Sequence, residues 1–178
     1  MVDTAKGSRN KYKFEPSTGQ WHLSKMLPQG MAFPYNFGFI PSTKGEDGDP
    51  IDVLLLMDEP AFSGCVVPAR LIGVIEAEQT EHGEVIRNDR LIATIATSCN
   101  PAEYESLKQV SRQRLDEIED FFVAYNAIEG REFRPLGRHG PKRAQQLLER
   151  AVRGKGARRK IQKALRGAKT TRKRKQAR

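Results

Sequence analysis

Residues 46–52 carry four carboxylates within seven positions, directly before a run of apolar residues. Packing does not require such a cluster, because like charges this close repel one another until a divalent cation or a proton relieves the repulsion. A glycine and a proline fix a sharp turn here, so Asp47, Asp49 and Asp52 could converge on one point. Hard oxygen ligands at a turn suit Mg²⁺ or Mn²⁺, which share the phosphate oxygens of a substrate. The pattern predicts a site for metal ions and phosphate, although a solvated Asp-Gly turn before a strand would have the same sequence.

Other common metal and catalytic motifs are absent from the sequence. An EF-hand loop starting at Asp47 is excluded, because its fifth position would be Ile51 and its twelfth would be Asp58 in place of a glutamate. There is no Walker-type glycine loop, no zinc-ligand spacing and no G-x-S-x-G elbow. The three histidines are scattered without partners at ligand spacing, and the two cysteines match no zinc, redox or disulfide pattern.

Apolar runs in the first hundred residues predict the strands that would position the acidic segment. Turn signals separate several short strands in the opening third of the chain. Continuous β-branched and apolar runs predict buried strands at residues 51–57, 65–75 and 91–97. Pro68 would have to lie at a bulge or an edge, because proline cannot donate a hydrogen bond to a ladder.

The hydrophobic period changes after residue 101. Leu115, Ile118, Phe122 and Tyr125 are spaced 3, 4 and 3 apart, which predicts an amphipathic helix that ends near Gly130. A second helix is predicted to begin after residue 141, with the apolar positions Ala144, Leu147, Leu148 and Ala151. Strands first and helices later favour an α+β fold, a small β-barrel covered by helices.

Charge is divided unevenly along the 178 residues. The chain has 31 Lys and Arg against 22 Asp and Glu, a net charge of +9, but thirteen of these basic residues and no acid lie in residues 151–178. Residues 1–150 therefore hold 18 basic and 22 acidic residues, a net charge of −4. We predict one globular domain, residues 1–153, and a basic disordered tail, residues 154–178, which has too few apolar residues to form a core.

The tail is expected to contact nucleic acid or polyphosphate non-specifically, with strong salt dependence and little sequence preference. It contains no aromatic residue for base stacking, and a solvated tail without a defined partner would have the same composition. No segment approaches the roughly 20 apolar residues of a membrane helix, and the N-terminus has no apolar segment of signal-peptide type. A cytoplasmic protein without membrane contact is therefore expected.

Residues 33–41 (FPYNFGFIP) and 45–54 (GEDGDPIDVL) resemble the signature of the soluble inorganic pyrophosphatases, a metal-dependent β-barrel family. The D-G-D-P-x-D-V core of this signature is highly specific, and the likeness covers about residues 1–150 without the tail. The resemblance implies a small closed five-stranded OB-like β-barrel flanked by C-terminal helices, in a cytoplasmic homo-oligomer. It also implies hydrolysis of pyrophosphate to two phosphates with Mg²⁺, or alternatively Mn²⁺, as cofactor.

The resemblance assigns roles within the acidic segment and outside it. Asp47 and Asp52 would be metal ligands, and Asp49 would orient or deprotonate the attacking water. Lys11 matches a lysine that contacts phosphate. Tyr125 matches a tyrosine that donates to phosphate, although it also lies on the apolar side of its helix.

Five residues usual in the family are replaced in this chain, among them a tyrosine by Phe37 and a lysine by Asn126. Asp3 stands in place of a pocket glutamate and is assigned with the metal ligands. Lys25 stands at an arginine position assigned to substrate binding, where it keeps the charge without the bidentate fork. Lys13 reverses the charge of a usual glutamate. The two lysines could strengthen phosphate binding as metal ligation weakens.

The second acidic pair of the family is altered as well. Glu81 matches one metal ligand. Alignment of Arg90 with a phosphate-binding lysine puts Asn88 at the next ligand, whereas a slide by one residue puts Asp89 there. Because a carboxylate is a stronger ligand than an amide, we predict Asp89.

Two functions of different classes follow from the sequence. The first is a Mg²⁺-dependent phosphohydrolase that splits pyrophosphate. The second is a catalytically weakened pyrophosphatase-like protein that binds polyanions through its tail. Hydrolysis of another phosphoanhydride, such as a nucleoside triphosphate or a short polyphosphate, remains open.

Overall fold

The computed structural model describes residues 1–96 and 104–152. The strands of the first range are β1 (Val2–Thr4), β2 (Asn10–Glu15), β3 (Gln20–Met26), β4 (Asn36–Phe39), β5 (Asp52–Leu56), β6 (Ala69–Glu81), β7 (Glu84–Arg87) and β8 (Arg90–Ile95). The second range holds a 3₁₀ turn (Leu107–Gln109), helix α1 (Arg112–Ala127), strand β9 (Glu132–His139) and helix α2 (residues 141–152). This combination confirms the predicted α+β class. The predicted tail, residues 154–178, lies outside the described residues.

Within the described ranges, seven strands form one sheet. Its hydrogen-bonded neighbours follow the order β1-β4-β5-β8-β6-β7, and β9 also pairs with β6. The β5–β8 pairing is parallel, and the other pairings of this sheet are antiparallel. Strands β2 and β3 form a separate hairpin. No pairing among the described residues joins β1 to β7 or β9, so the closed five-stranded barrel is not shown by this structure and stays a prediction.

The centre of the sheet is formed by β5 and β8. The three leucines of β5 are at most 5% exposed, and Leu91 and Ile92 of β8 are fully buried. Continuous apolar runs are typical of strands that are covered on both faces. The strands predicted at residues 51–57 and 91–97 are therefore confirmed with shorter ends, as β5 and β8, and residue 97 lies outside the described residues.

The third predicted strand, residues 65–75, begins later and runs further than expected. Strand β6 starts at Ala69, directly after Pro68, and continues to Glu81. Pro68 cannot donate to the ladder, but its carbonyl accepts a hydrogen bond from the backbone N–H of Ala96 at 3.0 Å. The proline thus lies at the start of the strand, where its missing donor has no cost.

Helix α1 covers the sheet with the apolar stripe expected from its sequence. Ser111 caps the helix by accepting a hydrogen bond from the backbone N–H of Arg114 at 3.3 Å. The stripe residues, each at most 6% exposed, are Leu115, Ile118, Phe122 and Tyr125. The Phe122 ring packs against Phe37 of β4 and Phe133 of β9, with 5.8 Å between ring centroids in both pairs. These contacts hold the helix against the site described below.

Strand β9 was not predicted from the sequence. Pro135 and Gly137 interrupt its pattern, and its register against β6 shifts at this point. The predicted helix end is confirmed, because the turn after α1 closes at Gly130 with a φ of +69°. The predicted second helix is confirmed too, with Ala144 and Ala151 of α2 buried. No helix in the described ranges is long and apolar enough to cross a membrane.

Candidate active site

The acidic segment lies in a loop between β4 and β5 that is closed at its base. The backbone N–H of Ile40 donates to the carbonyl of Ile51 at 3.0 Å. The buried hydroxyl of Thr43 donates to the Ile40 carbonyl at 2.6 Å and accepts from the Ile51 N–H at 3.0 Å. Further along, the N–H of Gly45 donates to the carbonyl of Asp49 at 2.7 Å. These bonds set the position of the carboxylates relative to the sheet.

The acidic loop is defined here as residues 41–50 together with Asp52, the first residue of β5. Its three aspartates have different partners. Asp47 Oδ1 accepts a hydrogen bond from the backbone N–H of Asp49 at 3.0 Å. Asp49 Oδ2 lies 3.8 Å from Lys13 Nζ, and Asp52 forms an ion pair with Arg90. In the described part of the chain, no three His, Cys, Asp or Glu side chains stand close enough to hold a metal ion. The expected convergence is therefore not observed, because each like-charged carboxylate is directed to its own donor or cation.

The carboxylates nevertheless act on one another. Burial raises the pKa of Asp47, and the nearby charges of Asp52 and Asp49 raise it further, against the hydrogen bond from the Asp49 backbone. Asp3 in β1 is 7% exposed. Burial raises the pKa of Asp3 to about 6; the Lys11 charge and the nearby Thr4 hydroxyl oppose this shift, and the Asp52 charge adds to it. Strand β1 and the acidic loop therefore contribute carboxylates to one electrostatic site.

One oxygen of Asp3 lacks a hydrogen-bond partner. Among the described residues, nothing donates to Asp3 Oδ1, which is buried. Leaving a buried polar atom unpaired typically costs about 1–3 kcal/mol. A hard divalent cation takes carboxylate oxygens of this kind as ligands. The chemistry of the Asp3 carboxylate therefore suits such an ion, and the charges of Asp52 on Asp3 and on Asp47 show which carboxylates lie nearby.

Arg90 is the buried cation of the site. It is 4% exposed, and its guanidinium group donates to Asp52 and to the side-chain oxygen of Asn88. Its Cζ atom lies 5.1 Å from the ring centroid of Phe122 and 5.9 Å from that of Phe37. The aromatic rings pack around the guanidinium group and limit its access to water, which strengthens its interaction with the carboxylate.

The predicted phosphate-binding residues meet around an aromatic cluster. Lys11 and Lys25 are directly opposite in the β2–β3 hairpin. Their ammonium nitrogens lie 5.6 Å and 5.0 Å from the ring centroid of Tyr125. Lys11 Nζ also lies 4.4 Å from the ring centroid of Phe37, the ring that Arg90 contacts. The structure thus brings all four predicted substrate-binding residues together.

Two predicted residues take part in a chain of ion pairs that the sequence did not reveal. Glu129, in the turn after α1, pairs with Lys25 and with Arg131. Arg131 in turn donates to Glu81 at 2.8 Å, so Glu81 is neutralised by this arginine. Glu129 carried no sequence signal, because only the turn after the helix brings it to the hairpin.

The two alternatives for the next ligand have different hydrogen-bond partners. Asp89 Oδ1 accepts hydrogen bonds from a backbone N–H of β6 at 3.0 Å and from Arg87 at 2.8 Å. Asn88 Oδ1 accepts from Arg90, the same guanidinium group that holds Asp52. Asn88 thus shares a cation with Asp52, whereas Asp89 is held by Arg87, and both residues line the cleft beside the acidic loop.

A cleft of about 190 Å³ opens beside the acidic loop. Charged residues of both signs line it, among them Lys44, Asp47, Asp52, Arg87, Asp89 and Arg150. Arg150 comes from α2, so the helix that leads towards the predicted tail forms one wall of the cleft. Sequence reasoning missed Lys44, Arg87 and Arg150, because surface charges are common and only the fold shows which of them face a site.

Comparison with known proteins gives consistent matches. A sequence model of the family described as inorganic pyrophosphatase matches residues 1–154. The inorganic pyrophosphatase of Nostoc sp. is 33% identical over 153 residues, which cover 86% of this chain and 88% of the relative. The inorganic pyrophosphatase of Haloferax volcanii is also 33% identical over 153 residues, covering 85% and 84% of the two chains.

Solved structures of the same kind superpose well on this chain. The inorganic pyrophosphatase from Helicobacter pylori gives a TM-score of 0.80 at 30% identity, over 87% of this chain and 91% of that one. The inorganic pyrophosphatase from Thermus thermophilus gives a TM-score of 0.79 at 28% identity, over 87% and 88%. The family match covers every residue of the site described above.

Proposed function

Because this chain belongs to the inorganic pyrophosphatase family, we propose that it hydrolyses inorganic pyrophosphate to two phosphates with the help of divalent cations. The observation that carries the proposal is the meeting of two oppositely charged sets at one site. The carboxylates are Asp3, Asp47 and Asp52, and the cations are Lys11, Lys25 and Arg90. Phosphoryl transfer from a phosphoanhydride uses both sets, since cations bind the phosphate oxygens and carboxylates bind the metal ions.

Asp3, Asp47 and Asp52 are the proposed ligands of Mg²⁺ or Mn²⁺. Their mutual repulsion and the unpartnered oxygen of Asp3 support this assignment. When bound, the ions would lower the pKa of the attacking water and neutralise the charge that develops on the leaving phosphate. Asp89 and Glu81 stay proposed as further ligands, although each is already paired with an arginine.

Asp49 is the proposed base. It lies in the acidic loop, and its backbone N–H donates a hydrogen bond to Asp47, which ties its backbone into the turn. Its carboxylate would accept a proton from the attacking water as the water adds to one phosphorus. The bond between that phosphorus and the bridging oxygen then breaks, and the second phosphate leaves.

The cations of the site would bind the phosphate oxygens. Lys11 and Lys25 provide ammonium groups, and Arg90 provides a planar group that suits bidentate contacts with phosphate. The Tyr125 hydroxyl is proposed as a neutral donor. The aromatic rings beneath these cations hold them in place and exclude water from one side of the site.

Phosphate release from pyrophosphate tests this function. We expect the protein to release phosphate only in the presence of Mg²⁺ or Mn²⁺, and Asp49→Ala to lower kcat by about 10²–10⁴-fold, as loss of a general base does. Asp58→Ala, a change at an exposed aspartate beyond β5, is the matched control and should keep the rate. A protein that releases no phosphate with either ion refutes the proposal. A panel with nucleoside triphosphates and short polyphosphates tests the alternative substrates.

A second, compatible function is polyanion binding by the basic tail. Residues 151–178 hold thirteen Lys and Arg and no acid. The described helix leading to them contributes Arg150 and Ala151 to the cleft. We propose that this segment binds nucleic acid or polyphosphate by counterion release.

Assembly into a homo-oligomer is also proposed, on the resemblance to the family. Large apolar side chains that are 51–74% exposed support it, because contacts between copies would cover them. They include Leu23, Met26, Phe62 and Val66.

A further inference from the structure

Lys13 places a cation next to the proposed base. It lies in β2, and its Nζ is 3.8 Å from Asp49 Oδ2. The contact joins the β2–β3 hairpin to the acidic loop, which connects two strands of the main sheet. A positive charge is thus held at the position from which a base would act.

The ion pair between Lys13 and Asp49 can be broken at little cost when a ligand binds. Both side chains are about two-thirds exposed, at 67% and 69%, and exposed ion pairs contribute little to folding. Arg90 differs, because it is 4% exposed and is held by Asp52 and Asn88. Lys13 can therefore shift towards a bound ligand at little cost in stability.

We propose that Lys13 supplies at Asp49 part of the positive charge that a divalent cation would otherwise supply, and that it binds a phosphate oxygen of pyrophosphate. An ammonium group has three N–H donors, so it can stay on Asp49 and donate to phosphate at the same time. Its charge also repels a metal ion from the Asp49 side of the loop. The inference rests on the proposed function, because its ligand is the substrate of that reaction.

Two consequences distinguish Lys13 from a residue that only contributes to the surface charge. The protein should bind divalent cations more weakly than a variant with a carboxylate at this position. It should also bind a pyrophosphate analogue in the absence of metal, with an affinity that depends on the Lys13 charge.

Equilibrium dialysis of the full-length protein against Mn²⁺, without substrate, tests the first consequence. We expect Lys13→Glu to bind Mn²⁺ about tenfold more tightly than the wild type, or to bind an additional ion, because an attractive charge replaces a repulsive one. Lys108→Glu makes the same charge change at an exposed lysine of the 3₁₀ turn and should behave as the wild type. Equal binding by Lys13→Glu and the wild type, or an equal gain in Lys108→Glu, overturns the inference.

Calorimetry with imidodiphosphate in EDTA tests the second consequence, since the bridging nitrogen of this analogue resists hydrolysis. We expect Lys13→Gln to weaken binding about fivefold or more through the loss of a charge-assisted hydrogen bond, and Lys108→Gln to leave binding unchanged. Unchanged binding by Lys13→Gln overturns the inference. Phosphate release by the same wild-type preparation with Mg²⁺ separates the two ideas. If the wild type releases phosphate but the Lys13 variants bind Mn²⁺ and imidodiphosphate as the wild type does, only the inference fails. If the wild type releases no phosphate, the proposed function fails.

Discussion

At Asp3, burial and an unpartnered oxygen act on the same carboxyl group. The side chain is 7% exposed, and its pKa is raised from 3.8 to about 6, chiefly by burial. A carboxyl group whose pKa is higher in the folded state stabilises the fold in its protonated form. This stability is fully present below the unfolded pKa and is lost as the pH rises through the folded pKa. In the absence of metal, Asp3 therefore destabilises the protein at neutral pH.

Asp3→Asn should remove this pH dependence. In EDTA, the free energy of unfolding of the wild type should fall by up to about 3 kcal/mol between about pH 4 and pH 7 relative to Asp3→Asn. Urea unfolding at several pH values measures the difference. The exposed Asp58→Asn is the control and should follow the wild type. Parallel pH profiles for the wild type and Asp3→Asn would show that the Asp3 carboxyl group does not carry the shifted pKa.

Mg²⁺ should stabilise the wild type more than it stabilises Asp3→Asn. A bound cation stabilises the charged carboxylates, so the wild type should gain more stability from Mg²⁺ at pH 7 than Asp3→Asn does. Repeating the urea unfolding series with and without Mg²⁺ measures this gain. An equal gain in both proteins would remove Asp3 from the proposed ligands.

Two elements position the carboxylates of the site. Strand β1, which carries Asp3, approaches β4 at Gly38, where an added Cβ would lie 2.1 Å from the carbonyl oxygen of Met1. The acidic loop turns at Gly48, whose φ is +94°, and is anchored at its base by Thr43. Glycines allow the close approach and the turn, and one hydroxyl group fixes the loop to the strands.

Thr43→Val should loosen the acidic loop without changing the volume of the side chain. The change removes both hydrogen bonds and leaves the Ile51 N–H unpaired, which should cost about 1–3 kcal/mol of stability. We expect kcat to fall about tenfold or more, because the aspartates are no longer held in place. Thr43→Ser keeps the hydroxyl group and should retain most of the activity. Steady-state kinetics with urea unfolding gives both quantities, and wild-type kcat in Thr43→Val would contradict this role of the hydroxyl.

At the scale of the whole molecule, the chain combines an acidic domain with a basic extension. Residues 1–150 have a net charge of −4, whereas the thirteen basic residues of the chain that follow residue 150 are not balanced by any acid. Charges in such a segment act mainly on the affinity for polyanions and on its salt dependence. The residues proposed for catalysis all lie within the family match, which ends at residue 154.

Truncation to residues 1–153 should separate these two properties. We expect the truncated chain to hydrolyse pyrophosphate within about twofold of the full-length rate. It should lose the retention on immobilised DNA that the full chain shows at low salt, because counterion release scales with the number of bound charges. Retention at low and moderate salt, measured beside phosphate release, checks both. Equal retention of the two proteins on DNA would show that the tail does not contribute to DNA binding.

The sequence by itself determined the elements that depend on local pattern. The apolar runs of β5 and β8, the stripe of α1 and the turn-forming acidic segment were all predicted, because periodicity and turn residues act over a few neighbouring positions. Strand β9 was missed, since Pro135 and Gly137 mask its pattern and its stability comes from pairing with β6. The family signature lies in the acidic segment, so the class of reaction could also be predicted.

Only the tertiary structure decided which charges meet. Arg90 and Asp52 are 38 residues apart in the chain, and Arg131 and Glu81 are 50 apart. Lys13 and Asp49 are also distant along the chain, and they meet only because the hairpin folds against the acidic loop. An ion pair depends on distance and burial in space, and neither is encoded in the spacing of residues along the chain.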